Sequence, residues 1–142
     1  MKKSNSSVIL IIGLPGSGKT MLVNECFNEY LIFDDFIFHL KNNVLLDYIK
    51  LDLKICLIDP RLCIPSVFEK YIKFISKYVK KSNIKLILFE NDIESCIKNT
   101  KLRKDKISVE KSIRFISSYY DVDNYKSYDH QILPVYNLKI LN

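Results

Sequence analysis

The three glycines of this 142-residue chain all lie in one short segment, Gly13-Leu14-Pro15-Gly16-Ser17-Gly18-Lys19-Thr20. Glycine allows backbone conformations with positive φ and lets another group approach the main chain closely. The segment matches the pattern G-x-x-x-x-G-K-[ST], in which main-chain N–H groups surround phosphate oxygens and a lysine adds positive charge. The residue types and their spacing therefore predict a loop that binds the phosphates of a nucleotide.

Each part of this loop has an expected contact with a bound nucleotide. We expect the amides of residues 16–19 to point at the phosphates, and Lys19 to contact the β- and γ-phosphates and to take part in catalysis. The Thr20 hydroxyl is the expected magnesium ligand. A helix that begins directly after the loop would add its favourable N-terminal dipole. The predicted ligands are thus ATP and Mg²⁺, and the residues predicted to bind the nucleotide are Gly13, Pro15, Gly16, Ser17, Gly18, Lys19 and Thr20.

The segments on either side of the loop are those that a phosphate-binding loop needs. The apolar run of residues 8–12 predicts a buried strand before it, and apolar residues at helical spacing from Leu22 to Leu31 predict a helix after it. Strands and helices continue to alternate along the chain, which indicates a mostly parallel sheet with helices on both faces. We therefore predict one α/β domain over residues 1–142, with three layers in the order α/β/α and five strands.

Shorter patterns predict the remaining elements. Ser66 and Glu69 form a capping box that would open a helix reaching about residue 80. Ser108 is the expected cap of a later helix, and Pro134 places the last strand at an edge of the sheet. The other predicted strands are 31–33, 54–59, 84–89 and 131–136, and the other predicted helices lie within 36–52 and near 92–104 and 109–120.

Composition points to a globular protein rather than to a membrane-spanning or disulfide-rich one. Hydrophobic residues make up 48% of the chain, and no uninterrupted apolar run approaches the length of a membrane span. The four cysteines form no C-x-x-C pair and lie in apolar patterns, so we expect buried, reduced thiols and a cytoplasmic location. The net charge of +6 suits either a nucleic-acid partner or anionic nucleotides.

Acidic residues follow the predicted strands at the edge where ligands of such sheets bind. Asp34 and Asp35 follow the second strand, Asp59 follows the third and Glu90 follows the fourth. We predict that Asp34 is a general base for an attacking hydroxyl, that Asp35 contacts the substrate and that Asp59 lies on the magnesium side. The alternative for each is turn chemistry, because aspartate often ends strands, and this is the preferred interpretation for Glu90.

Basic residues crowd the stretch between the fourth and fifth strands. An arginine contributed from such a flap can neutralise charge on a transferred phosphoryl group, and we assign this role to Arg103. Arg61 follows Asp59 closely, where it could hold a phosphate of the substrate. The pattern predicts a helical lid near residues 92–120, although a lysine-rich helix face is also typical of a merely solvated surface.

The chain resembles the small P-loop kinases over roughly residues 8–136, through the glycine loop, Asp34-Asp35, Ile58-Asp59 and Lys98-Asn99-x-x-x-Arg103. It is most similar to the kinase domain of phage-type polynucleotide 5′-kinases and to the predicted AAA-type ATPases around them. The resemblance implies a P-loop NTPase fold with a kinase-like strand order of 2-3-1-4-5. It also implies that Asp34 activates a 5′-hydroxyl and that Asn99 and Arg103 belong to the lid.

Two features depart from related families. The polynucleotide kinases place an arginine shortly after the aspartate pair, whereas here no basic residue appears before His39. The segment Asp59-Pro60-Arg61-Leu62 lacks the glycine of the GTPase D-x-x-G motif, and the chain has no N-K-x-D motif. The first departure argues against a polynucleotide acceptor, and the second argues against a GTPase.

Three functional hypotheses follow. The leading one is an ATP-dependent phosphotransferase whose acceptor is a hydroxyl or phosphate of a nucleoside, a nucleotide or a nucleic-acid 5′ end. The second is a P-loop ATPase or nucleotide-binding regulatory module without strong transfer activity. The third is a nucleic-acid-binding protein that uses the basic helices, which would bind in a salt-sensitive way without needing Lys19.

Overall fold

The computed structural model describes residues 2–105 and 107–138. Its five strands are β1 (Ser7–Ile12), β2 (Leu31–Asp34), β3 (Lys54–Ile58), β4 (Ile84–Phe89) and β5 (Asp129–Leu133). They form one sheet, in the order β2-β3-β1-β4-β5, in which every neighbouring pair is parallel. This arrangement confirms the predicted α/β fold class and the predicted strand order.

Helices connect the strands, and short 3₁₀ turns lie at Pro60–Cys63, Lys81–Asn83 and Val122–Tyr125. Helix α1 follows the glycine loop directly, and two helices separate β4 from β5. The helices are α1 (Lys19–Cys26), α2 (Phe36–His39), α3 (Asn42–Lys50), α4 (Pro65–Ser76), α5 (Ile93–Leu102) and α6 (Ile107–Ser117).

Apolar side chains pack on both faces of the sheet. Successive residues of a strand point to opposite faces, so Leu10 and Ile12 of β1 join the larger core cluster while Ile9 and Ile11 join the smaller one. Helices α2 to α6 contribute to the larger cluster, and α1 contributes Val23 to the smaller one. The glycine loop therefore leaves a strand that is buried on both faces, which gives the loop a rigid base.

The predicted start of helix α4 is wrong. The residue before the first turn is Ile64, Pro65 is the first helical residue, and no side chain caps the helix, so Ser66 lies inside it. Proline suits this position because its fixed φ is already helical and it has no N–H group that needs a partner. The helix also ends at Ser76, short of the predicted residue 80.

Two boundaries near the end of the chain also differ from prediction. Helix α6 begins at Ile107, so Ser108 is a helical residue and not the cap. Strand β5 ends at Leu133 instead of residue 136, because Pro134 has no N–H group with which to continue the ladder. Its predicted place at an edge of the sheet is confirmed.

The cysteines are free, but they do not all share one environment. Cys56, Cys63 and Cys96 are buried, whereas Cys26 at the end of α1 is exposed, against expectation. Burial raises the pKa of the Cys63 thiol to about 12 and that of Cys96 to about 11. Within the part of the chain that the structure describes, no helix combines the length and apolar character needed to cross a bilayer.

Candidate functional site

The glycine loop joins β1 to α1 through two residues in the left-handed region. Gly16 has φ 83° and Gly18 has φ 107°, conformations that glycine adopts without steric cost. A Cβ atom at position 16 would lie 2.6 Å from the carbonyl oxygen of Cys96, and one at position 18 would collide with the side chain of Tyr136. The loop is therefore pressed closely against α5 and against the segment after β5.

Lys19 reaches back across this loop. Its Nζ donates hydrogen bonds of 2.8 Å to the carbonyl oxygens of Gly13 and Leu14 and lies 3.4 Å from Ser17 Oγ. The side chain is buried, and burial lowers the pKa of Lys19 below its usual value. An ammonium group that has lost much of its hydration gains strongly from a nearby anion.

The loop has most of the features that a phosphate-binding loop needs. It combines two left-handed glycines, a positioned ammonium group and the start of a helix, where N–H groups favour negative charge. One amide differs from expectation, because the N–H group of Ser17 donates to the carbonyl oxygen of Leu14 at 3.1 Å and so serves a turn within the loop. The remaining features still suit the loop to an anion.

The aspartate pair lies at the end of β2, one strand away from the loop. Strand β3 separates β2 from β1, and in the register of the sheet Ile58 is the partner of both Asp34 and Ile11. Partial burial and the neighbouring charge of Asp35 raise the pKa of Asp34, while the ammonium group of Lys19 opposes this rise. The predicted base and the loop that carries Lys19 therefore both lie at the carboxyl ends of the parallel strands.

Asp59 is fully buried, and both of its carboxylate oxygens are engaged. Oδ1 accepts from the amide of Arg61 at 3.0 Å and from its Nε at 2.7 Å. Oδ2 accepts from Arg61 Nη2 at 2.5 Å and from the amide of Ile37 at 3.2 Å. A carboxylate offers about four acceptor positions, so this arrangement leaves none for direct coordination of a cation.

Of the two predicted magnesium ligands, only one is therefore accessible. Thr20 is exposed at the start of α1, so its side chain is accessible from solvent. Asp59 does not suit direct coordination while Arg61 occupies its carboxylate. Among residues 2–105 and 107–138, no group of three or more histidine, cysteine, aspartate or glutamate side chains is placed to hold a metal ion.

Arg61 lies at the wall of a cavity beside the loop instead of extending freely toward a substrate. Its guanidinium carbon lies 3.6 Å from the centroid of the Phe38 ring, on which it stacks. Both side chains line a cavity of about 320 Å³ together with Pro15 of the loop and Asp35. The two predicted substrate-binding residues, Asp35 and Arg61, are therefore brought together at one cavity.

Arg103 lies on the other flank of the loop, at the end of α5. It lines a cavity of about 230 Å³ together with Gly16, Gly18 and Thr20, and its Nη2 donates to the carboxylate of Asp105 at 2.7 Å. Burial is the main cause of the lowered pKa of Lys19, and the positive charge of Arg103 adds a small effect in the same direction. The predicted lid arginine thus stands beside the loop.

Sequence reasoning missed the role of the segment after β5. Tyr136 lines the 230 Å³ cavity, and its amide donates to the carbonyl oxygen of Ser17 at 2.9 Å. Asn99, buried in α5, also contacts this segment. Pro134 gave a signal that the strand ends there, but nothing in the local sequence indicates that the following residues return to the loop.

Comparison with known proteins yields a relative and a structural neighbour. No protein-family model matches the chain. A chain of the PezAT chromosomal toxin-antitoxin system of Streptococcus pneumoniae has a similar structure, with a TM-score of 0.54 and 16% identity over 94% of this chain and 70% of that one. This likeness supports the α/β fold with its parallel five-stranded sheet.

The relative comes from a giant virus. The uncharacterized protein R277 of Acanthamoeba polyphaga mimivirus is 38% identical over 133 residues, which cover 91% of this chain and 96% of that protein. Identity at this level over nearly the full length of both chains indicates common descent and a common fold. The chain belongs to the family of the mimivirus protein R277.

Proposed function

We propose that this protein is an ATP-dependent phosphotransferase, which moves the γ-phosphate of ATP to a hydroxyl or phosphate of a nucleoside, a nucleotide or a nucleic-acid 5′ end. One observation supports it above all others: the buried ammonium group of Lys19 lies across the glycine loop, while Asp34 stands at the end of β2, with only strand β3 between β2 and the strand that leads into the loop. Together they provide a positive charge for the transferred group and a carboxylate for the attacking hydroxyl.

The described residues divide the work of such a transfer. ATP, when bound, supplies the phosphoryl group. The loop and Lys19 hold the phosphates, and the 230 Å³ cavity beside Gly18 and Tyr136 accepts the nucleoside part. Arg103, on the rim of that cavity, stabilises the charge that builds on the transferred group. Thr20 is the residue that would contact magnesium, whereas we assign no contact with the cation to Asp59.

Asp34 acts as the general base in this proposal. A base must be ionised before the reaction and able to take a proton during it, which a carboxylate with a raised pKa does better than an ordinary one. Positioning and electrostatic stabilisation supply most of the rate in phosphoryl transfer. The nearness of Lys19, Arg103 and the aspartate pair to one loop is therefore more important than any single side chain.

A second candidate is a nucleotide-binding or ATP-hydrolysing module without strong transfer. The engagement of Asp59 by Arg61 favours it, because that carboxylate is not free to help with magnesium. The missing arginine after the aspartate pair also favours it, since no cation follows Asp35 before His39. Such a module would bind ATP and release phosphate, and a protein partner would bind differently to its ATP-bound and ATP-free forms.

A radiolabelled ATP assay separates these candidates. The protein is incubated with γ-labelled ATP, magnesium and a panel of nucleosides, nucleotides and 5′-hydroxyl oligonucleotides. Labelled product with any acceptor supports the transferase, whereas release of labelled phosphate alone supports the second candidate. Lys19→Met serves as the inactive reference and Lys111→Met, on an exposed face of α6, as the matched control.

A further inference from the structure

Two of the cavities beside the glycine loop contain side chains that were predicted to bind a substrate or to act in catalysis. The 230 Å³ cavity lies beside Arg103, and the 320 Å³ cavity lies between the loop tip and helix α6. No lining residue is shared between them, and transfer between two substrates requires two places to hold them. The larger cavity is walled by Pro15, Asp35, Phe38, Arg61, Ser108 and Ser112, among other residues.

Phe38 forms an aromatic platform at this cavity. Its side chain is 78% exposed, more than any other large apolar side chain in the part of the chain that the structure describes. The guanidinium group of Arg61 covers one face of the ring at 3.6 Å. The ring is thus held in place on one side, and its high exposure leaves apolar surface on which a flat ligand gains by stacking.

The charges around the cavity are unfavourable to a phosphorylated ligand. Arg61 directs its positive charge at the buried carboxylate of Asp59, with bonds of 2.7 Å from Nε and 2.5 Å from Nη2. Asp35 adds a carboxylate to the wall, and Asp34 precedes it in the chain. Ser108 and Ser112 contribute neutral polar groups. The described wall therefore repels anions while accepting hydrogen-bond donors and planar apolar rings.

We propose that this cavity holds the phosphoryl acceptor, and that the acceptor is an uncharged alcohol with a planar ring, of the nucleoside class, stacked on Phe38. The inference rests on the transferase activity proposed above. The acceptor oxygen forms a bond to the γ-phosphorus of ATP, the bond from that phosphorus to the β,γ-bridging oxygen breaks, and the hydroxyl proton passes to Asp34. The products are ADP and a phosphorylated alcohol, which Asp35 repels from the cavity.

Because the chain contains no tryptophan, an introduced one gives a direct binding test. Phe38→Trp places the single tryptophan of that variant on the platform. Phe115→Trp places it instead on a side chain of α6 that is also exposed, at 60%, but does not line the cavity. Both proteins are titrated, without ATP, with adenosine and thymidine and with their 5′-monophosphates. We expect the fluorescence of Phe38→Trp to be quenched by both classes of ligand, with an affinity about tenfold higher for nucleosides than for monophosphates. The fluorescence of Phe115→Trp should respond to neither.

Asp35→Asn tests the role of charge without disturbing the backbone. Asp35 has φ 49°, a left-handed conformation that asparagine tolerates as well as aspartate does. Combined with Phe38→Trp, this change should tighten binding of monophosphates by about tenfold, because one repulsion is removed, and should leave binding of nucleosides unchanged.

The outcomes separate this inference from the proposed function. If no nucleoside quenches Phe38→Trp at millimolar concentration, or if monophosphates bind more tightly, the inference is overturned. It is also overturned if transfer depends on Lys19 but accepts phosphorylated compounds only, and in that case the transferase stands. If nucleosides bind but no acceptor is phosphorylated, the transferase fails and the acceptor role fails with it.

Discussion

The side chain of Asn99 joins helix α5 to the glycine loop and to the segment after β5. Its Nδ2 donates to the carbonyl oxygen of Gly16 at 2.8 Å and to that of Tyr136 at 2.5 Å, while its Oδ1 accepts from the amide of Leu138 at 3.1 Å. Asn99 lies 83 residues after Gly16 in the chain and is only 4% exposed. The conformation of the loop therefore depends on a residue of the predicted lid.

Replacing Asn99 with aspartate should destabilise the protein and weaken nucleotide binding. The shapes are nearly equal, but the carboxylate cannot donate, so two partly buried carbonyl oxygens lose their partner. Each such loss costs about 1–3 kcal/mol, and we expect a decrease of about 3 kcal/mol in the free energy of unfolding. Urea denaturation measures it, with Asn124→Asp on an exposed 3₁₀ turn as the control. An equal effect in both variants would show that Asn99 does not hold the loop.

Local sequence patterns predict the main chain of this protein better than they predict its side-chain contacts. Strands β1, β3 and β4 were predictable because a parallel strand buried on both faces leaves a continuous apolar run, as residues 8–12 do. The glycine loop was predictable because its backbone demands glycine at positions 16 and 18. Both signals are local, and both describe the main chain.

The partners of the polar side chains could not be predicted in this way. The place of Asp59 at a strand end suggests a magnesium contact, but Pro60 turns the chain so that Arg61 folds back onto the carboxylate. The contacts of Asn99 with Gly16 and Tyr136 join segments that only the complete sheet brings together. The hydrogen-bond partner of a polar side chain depends on where the tertiary structure places it. Residue type and spacing along the chain do not contain this information.

Lys19→Met should abolish nucleotide binding while the fold survives. The methionine retains the apolar stem but removes the charge that we propose holds the phosphates, and we expect the affinity for ATP to fall by at least about a hundredfold. Calorimetry with ATP and magnesium measures the affinity, and circular dichroism monitors the fold. Unchanged affinity in Lys19→Met would exclude the loop as the phosphate site.

Comparison of the natural protein with Lys19→Met also tests how burial of the lysine changes the pH dependence of stability. The lowered pKa of Lys19 means that the unfolded chain binds more protons than the native one between that pKa and the ordinary value of 10.5. Stability rises with pH wherever the unfolded state binds more protons. The free energy of unfolding of the natural protein should therefore increase relative to that of Lys19→Met as the pH is raised through the native pKa toward 10.5. Urea denaturation at about pH 7 and about pH 9.5, both below the ordinary lysine pKa, measures the difference. A constant difference would contradict a buried ammonium group.

Asp34→Asn should reduce the rate of turnover and leave the affinity for ATP unchanged. Removing a general base typically lowers the rate by about 10²–10⁴-fold, whereas asparagine keeps the size of the side chain. In the natural protein, the raised pKa of Asp34 predicts that the rate falls with decreasing pH before the ordinary value of 3.8 is reached, because the protonated carboxyl cannot accept a proton. Initial rates measured as the pH is lowered toward 3.8, together with the affinity for ATP, test both statements. Asp47→Asn, at an exposed position of α3, is the control. Loss of ATP binding in Asp34→Asn would make Asp34 a binding residue instead.

Breaking the pair of Asp59 and Arg61 should destabilise the fold more than breaking a surface pair. Arg61→Met leaves a fully buried carboxylate without its charged partner, which typically costs about 3–5 kcal/mol. Adding Asp59→Asn to Arg61→Met removes the uncompensated charge, so the double variant should recover part of the loss. Urea denaturation of Arg61→Met, of Asp59→Asn alone and of the double variant measures the coupling between the two side chains. Arg114→Met, which breaks the exposed pair with Glu110, is the control and should change stability little. A double variant that is less stable than Arg61→Met would show that the carboxylate is stabilised by its bond to the Ile37 amide more than by Arg61.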